Sequence, residues 1–249
     1  MADAPSHLLL IWFPAKAFST LWFYFVCLRV VVIYAVPAMT KDRIAELLDP
    51  FLFTEQLSDW HLTAIARYLD LLVKWNAHIN LTAVRDPEDM MKRHFGESLF
   101  AAMHLFPDQS ERATAIDIGS GAGFPGVPLK IWAQGLEVSL IESNQKRATF
   151  LREIARALNL TGLKVFSDRA ENLSIQSELV TFRAVENFEQ ALLTARKLVS
   201  QAGRVALLIG ESQLEVARSR LRDLDWEQPL PVPESQNRIL LVGHIEQQA

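Results

Sequence analysis

The chain has 249 residues, half of them hydrophobic, with 25 Lys and Arg against 29 Asp and Glu for a formal net charge of −4. That length holds one large α/β domain or a domain with appendages, and the acidic balance excludes a general field for nucleic acid, so any RNA contact must come from a local patch. The single cysteine, Cys27, excludes an internal disulfide and a cysteine-ligated zinc, in keeping with a reducing cytoplasm.

Residues 1–38 stand apart, with three formal charges (Asp3, Lys16, Arg29) in an otherwise apolar stretch. Residues 17–38 match the roughly 20 residues needed to span a bilayer. Arg29 interrupts them, however, and no basic region precedes them as a secretory signal requires. The expectation is an upstream extension that is not native, with Met39 as the start and a membrane anchor as the alternative.

A short amphipathic helix is predicted over 41–48, closed by Asp49-Pro50. A long helix follows over 55–79, with a stripe of Leu57, His61, Ala64/Ile65, Tyr68, Leu72, Trp75 and Ile79 in steps of three and four. Such a stripe reads as core. Asn76 and Asn80-Leu81-Thr82 end that helix, and Arg85-Asp86-Pro87 opens another stretch carrying Lys92, Arg93 and His94, where the histidine reads as a solvated surface group. The loop 107–110 is the expected boundary between a helical N-terminal region, 39–109, and a second domain, 110–249.

Beyond that loop the pattern alternates. Strands are predicted near 114–118, 137–142, 163–167, 179–183, 204–209 and 238–243, and helices near 127–133, 144–159, 189–199 and 211–224. Regular βα alternation implies a parallel sheet with helices on both faces and a ligand at the carboxyl edge of the strands.

The run Asp117-Ile118-Gly119-Ser120-Gly121-Ala122-Gly123-Phe124-Pro125-Gly126 lies at that edge. Glycines let backbone lie directly against a ligand, and the following helix offers free N–H groups. The spacing also satisfies a dinucleotide fingerprint. An acid at the entrance is unwelcome to a pyrophosphate, whereas it suits the ammonium and sulfonium of S-adenosylmethionine (SAM); Pro125 also removes a donor that a pyrophosphate would use. Glu142 ends the second strand, 19 residues after Gly123, where a carboxylate can accept both ribose hydroxyls. SAM is therefore preferred to NAD, and an NAD-linked oxidoreductase is the lesser alternative. Gly119, Gly121, Gly123 and Glu142 are the cofactor residues expected from this pattern.

The block Lys74-Trp75-Asn76…Asn80-Leu81-Thr82-Ala83-Val84-Arg85-Asp86-Pro87, then Arg93-His94-Phe95…Glu97-Ser98-Leu99, then the glycine turn, resembles the RsmG (GidB) family. The likeness continues through Glu142-Ser143, Lys146-Arg147, Phe150-Leu151, Arg169-Ala170-Glu171 and Arg183-Ala184, and covers roughly residue 44 to the C-terminus. The resemblance implies a class I SAM-dependent methyltransferase, a Rossmann-like α/β sheet with an N-terminal helical cap, acting on N7 of a guanine in 16S ribosomal RNA. It further implies cofactor contacts at Gly119, Phe124, Ala170, Glu171 and Arg183, and as partner 16S rRNA or a small-subunit precursor. A cytoplasmic monomer is expected, with neither metal nor membrane; another RNA substrate is the alternative. Glu97 stands where the family usually has aspartate, Ile209 where a lysine often precedes the glycine, and Phe182 where a small or hydroxyl residue is common.

The chemistry agrees with the resemblance. Methylation of a pyrimidine carbon through a covalent adduct needs a cysteine nucleophile, and residues 39–249 contain none. The Pro-Pro-aromatic turn of amino-methylating enzymes is also missing. Guanine N7 needs no deprotonation, only positioning. No catalytic acid or base is assigned; Arg183, at the end of a strand, is the candidate for positioning base or cofactor. Its alternative is a buried pair with Glu171 or Glu186, and that of Glu171 a pair with Arg169. Lys74, Arg85, Lys92, Arg93, Lys146 and Arg147 form the candidate RNA surface, scattered rather than striped.

Overall fold

The computed structural model of the protein describes residues 39–53 and 55–245. The readings of residues 1–38 lie outside the described residues.

Helix α1 (Lys41–Leu52) is capped by Thr40, whose side chain accepts from the Arg43 N–H. It runs through Pro50 rather than stopping before it. Pro50 forfeits one backbone bond, but Phe51 and Leu52 are buried and hold the extra turn against the core. Helix α2 (Asp59–Ile79) starts later than its periodicity suggested, because Ser58 caps it: Ser58 Oγ accepts from the His61 N–H, and His61 Nδ1 accepts from the Ser58 N–H. Asp86 caps α3 (Pro87–Met90), which passes through a π-helical turn, Met91–Gly96, into α4 (Glu97–Leu105).

Nine elements of the α/β part follow in chain order: β1 (Thr114–Ile118), α5 (Gly126–Trp132), β2 (Glu137–Ile141), α6 (Gln145–Ala157), β3 (Leu163–Phe166), β4 (Ser177–Arg183), α7 (Phe188–Leu198), β5 (Val199–Gly210) and α8 (Leu214–Arg220). Three strands close the chain, β6 (Leu224–Trp226), β7 (Leu230–Pro231) and β8 (Arg238–Ile245). The sheet order is β3-β2-β1-β4-β5-β8-β6, with β7 also paired to β8. The first five strands in that order are parallel. Strand β8 is antiparallel to β5 and to both short strands, a departure from the all-parallel expectation. A chain that leaves α8 at Arg220 and turns back through β6 and β7 reaches β8 without a helical crossover, and such short connections give antiparallel neighbours.

Side-chain alternation divides the core. Ala115, Leu179, Ala206 and Leu208 face the cluster that contains α1, α2, α4, α5 and α6. Ile116, Ile118, Val180, Phe182, Val205, Leu207 and Ile209 face the cluster built with α7 and α8. Position 209 is thus interior, 2 % exposed, and Ile209 fills space there. Phe182 is also interior and packs edge-on against Phe188. Among the described residues no helix is long and apolar enough to cross a membrane. No group of three or more His, Cys, Asp or Glu among them is placed to hold a metal ion.

Candidate functional site

The turn between β1 and α5 sits at the carboxyl edge of the parallel strands. Gly119, Gly121 and Gly123 all take positive φ. Gly121 donates its N–H to Glu142 Oε2 at 2.9 Å, and Asn144 donates its N–H to Oε1 at 2.7 Å. Glu142 is thereby locked in place at the end of β2, 5 % exposed. A carboxylate has about four lone-pair sites, so two remain for a ligand.

Beside it opens a cleft of about 520 Å³ bordered by Gly119, Glu142, Ala170 and Glu171. Ile118, Ile141 and Ala191 give it apolar wall, while Asp168, Arg147 and Arg169 add polar rim. Asp168 is held by the Arg169 N–H and Asn172 Nδ2, which keep its carboxyl below the usual range. Glu171 is exposed and is not paired with Arg169; Lys197 Nζ donates to its carbonyl instead. Four of the expected cofactor residues therefore share one cleft.

These residues fit SAM. The cleft combines a carboxylate with free lone pairs for a ribose diol and apolar wall for a base, and beside it an added Cβ on Gly121 would meet nothing closer than Gly119 O at 3.8 Å. The backbone there is open to a ligand.

Gly123, Phe124 and Arg183 lie elsewhere. A Cβ on Gly123 would meet Tyr68 Oη at 2.5 Å and Val127 Cγ2 at 2.8 Å, so this glycine is demanded by packing against α2. Phe124 is buried: Tyr68 stacks on it with centroids 5.2 Å apart, and Phe95 meets it edge-on at 5.1 Å. Tyr68 Oη also donates to the Ala122 carbonyl. The turn is thus pinned by the N-terminal helices on one side and borders the cleft on the other.

Arg183 ends β4 on the same face as Leu179, under those helices. Its side chain is 8 % exposed, and its guanidinium lies over the Phe124 ring at 5.8 Å. Nη1 donates to the Arg93 carbonyl at 2.7 Å and to Glu97 Oε2 at 3.1 Å, and Nη2 donates to His94 Nδ1. The partner acid is Glu97, not Glu171 or Glu186. Burial lowers Arg183 to about 10, with Glu97 opposing that shift. Glu97 also faces Arg238 at 3.5 Å; burial raises its carboxyl above the usual range, against the pull of Arg183, Arg238 and Arg93.

His94 corrects the sequence reading most clearly. It is 8 % exposed rather than solvated, because the π-helical turn directs it inward. Burial, reinforced by Arg183, pushes it down to about 3. Asp117 is likewise enclosed. Its Oδ2 accepts from the Gly126 N–H at 3.1 Å, so it anchors the start of α5 beneath the turn, and burial raises it to about 7. The signal for both Asp117 and Arg183 lay in strand parity: Asp117 shares a face with Ala115, and Arg183 with Leu179. His94 carried no comparable signal.

Of the candidate RNA surface, Arg93, Lys74 and Lys146 are exposed, Lys92 pairs with Glu234 at 3.0 Å, and Arg147 borders the cleft. Arg85 is tied down to the Asn76 carbonyl and Asn80 Oδ1.

The family described as rRNA small subunit methyltransferase G (GidB) matches residues 61–237. A protein of Chloroflexus aggregans named ribosomal RNA small subunit methyltransferase G is 36% identical over 199 residues, spanning 75% of this chain and 82% of that protein. One of the same name from Listeria monocytogenes serotype 4b is 33% identical over 202 residues, 75% of this chain and 84% of that one. Among solved structures, a SAM-dependent methyltransferase from Aquifex aeolicus has a TM-score of 0.52 at 14% identity, covering 67% of this chain and 97% of its own. A ribosomal protein L11 methylase from Lactobacillus delbrueckii subsp. bulgaricus has a TM-score of 0.51 at 16% identity, covering 61% and 80%. The two structures share the fold. With the glycine turn, the locked Glu142 and the helices packed over Arg183 all in the matched span, the chain belongs to the rRNA small subunit methyltransferase G (GidB) family.

Proposed function

We propose that this protein methylates N7 of a guanine in 16S ribosomal RNA with SAM as donor. The observation that carries the reading is the Glu142 carboxylate, fixed by two backbone N–H groups at the mouth of an open cleft beside the glycine turn. Glu142 holds the ribose diol of the cofactor; Gly119, Ala170 and Glu171 border the same space. When bound, SAM supplies an electrophilic methyl group, and guanine N7 takes it through an in-plane lone pair with no proton to remove.

The protein's task is then alignment. Arg183 contributes a fixed planar set of donors. Among the described residues, Nε–H and one Nη2–H meet no acceptor, so they are left for base or cofactor. The stack of Tyr68, Phe95 and Phe124 keeps water from the far side of the turn. Charge alone gives weak, salt-sensitive RNA affinity in a net-acidic chain, so selectivity rests on an unpaired guanine and its local shape. We place the protein in the cytoplasm, acting as a monomer on rRNA or a partly assembled small subunit.

The test maps N7-methylated guanine in 16S rRNA from cells with and without the gene, together with SAM calorimetry on the purified protein. One guanine losing its methyl group in the deletion, restored by the intact gene, is the expected result. An unchanged methylation map, or equal activity on free GTP and on the small subunit, contradicts the reading.

A further inference from the structure

The Arg183 guanidinium has only donors, and its Nη2 points one of them at His94 Nδ1. An imidazole accepts at Nδ1 only when its proton is on Nε2. Nε2 faces Thr82 Oγ1 at 2.7 Å. Thr82 Oγ1 already accepts from the Val84 N–H at 3.2 Å, and its second lone pair is free to accept from His94 Nε2–H. The loop carrying Thr82 is itself held. The Thr82 N–H donates to Asn76 Oδ1 at 2.9 Å, and Asn76 Nδ2 donates to the Val84 carbonyl at 3.1 Å. Asn76 is buried, 2 % exposed.

A chain of directed bonds therefore runs from Asn76 through Thr82 and His94 to Arg183. It gives a physical use to the Asn76…Leu81-Thr82-Ala83-Val84 segment, which neither cofactor binding nor RNA contact had explained. Burial above all, and then Arg183, Arg93 and Arg238, act against a charged imidazole here, which keeps the ring neutral and able to accept.

We propose that His94 is a positioning residue of this site: it offers Nδ1 to Arg183 as a hydrogen-bond acceptor, and the Asn76–Thr82 loop holds its ring in the tautomer that permits this. Arg183 is thereby fixed over Phe124 with its remaining donors free. The inference rests on the assignment of Arg183 to the methyl-transfer site, and its test has an arm that needs neither cofactor nor turnover.

That arm is nitrogen NMR of protein labelled at histidine, with the His94 signals assigned as those lost in a His94 variant. At pH 7 the expected state is bare Nδ1 and protonated Nε2. The reverse tautomer, or an imidazolium, overturns the proposal.

The second arm compares three variants, each checked for folding by its thermal midpoint. His94→Asn places an amide oxygen near the position of Nδ1, His94→Gln reaches instead toward Thr82, and His94→Leu keeps only the packing against Phe124. A displaced Arg183 should lower kcat on the small subunit by about 100-fold in the Gln and Leu variants, whereas Asn recovers at least about tenfold of that loss. KM for the small subunit should stay within about threefold throughout, since the RNA surface is untouched. Equal losses in all three variants, or no loss in any, reduce His94 to a packing residue and overturn the proposal. Failure of the wild-type protein to bind SAM overturns the proposed function instead and leaves the NMR result standing.

Discussion

On its cleft side the 119–126 turn borders open space shared with Glu142, Ala170 and Glu171; on its other side Gly123 and Phe124 lie packed under Tyr68, Phe95, His94 and Arg183. The cleft side has one buried acid with lone pairs to spare, whereas on the closed side Glu97 bridges two cations, as Arg183–Glu97–Arg238. Glycines of one motif therefore answer to different constraints. Gly121 serves backbone access, while Gly123 makes room for a tyrosine hydroxyl from another element.

The largest expected effect tests whether the closed side is structural. Glu97→Ala leaves the largely buried Arg183 without its acid, and should cost about 3–5 kcal/mol. On the cleft side Glu171→Ala should stay within about 0.5 kcal/mol, as exposed substitutions do. Urea unfolding of both variants measures the difference, and equal costs would break the comparison.

The glycines sharpen it. Gly123→Ala forces a Cβ to within 2.5 Å of Tyr68 Oη and strains a residue at φ +94°, and should cost about 2–4 kcal/mol of stability. Gly121→Val strains φ +57° in open space, so it should remain folded and lose SAM binding. Melting curves and calorimetry together separate the two. A folded Gly121→Val that binds SAM at wild-type affinity would remove the turn from the site.

Glu142→Ala should weaken SAM by about 1–3 kcal/mol, the scale of a lost hydrogen bond to a charged group. An analogue lacking a ribose hydroxyl should bind the wild type and the variant more equally than SAM does. If both lose equally with that analogue, the diol is held elsewhere.

The smallest net effect in the wild type is that of pH, because two titrations oppose one another. Asp117 titrates at about 7 in the fold against 3.8 ordinarily, so between those values the folded protein keeps a proton the unfolded chain has released. Its contribution to stability falls as pH rises from about 4 to 7. His94 is lowered from 6.5 to about 3, so the unfolded chain holds the extra proton, and stability falls as pH drops through that window. The two slopes oppose one another where they overlap, each at most about 1.4 kcal/mol per pH unit. Asp117→Asn removes the falling slope of Asp117, so stability should rise more, or fall less, between pH 4 and 6.5 than in the wild type. Identical pH profiles would place the Asp117 titration near its ordinary value.

The cofactor edge was legible because its signals are local. Short apolar runs located the strands that carry it, and β1 is found at the residues its pattern indicated, Thr114–Ile118. Glu142 was readable for the same reason, since a strand of known start ends at a known distance from the turn. Helix ends were less readable. Ser58 as a cap and the buried Phe51 and Leu52 beyond Pro50 outweighed the propensities that suggested other limits.

Parity alone put Asp117 and Arg183 on one face, with Ala115 and Leu179. What covers that face is not written in any local pattern. Tyr68 meets Ala122 across 54 residues, and His94 meets Arg183 across 89. Such pairs form because α2 and the π-helical turn bury their apolar sides together on the sheet, and the polar groups carried in with them must then satisfy one another away from water. Local periodicity determines where a side chain points, and only tertiary packing decides what it meets, which is why His94 looked like a surface residue in the sequence and is buried against Arg183 in the fold.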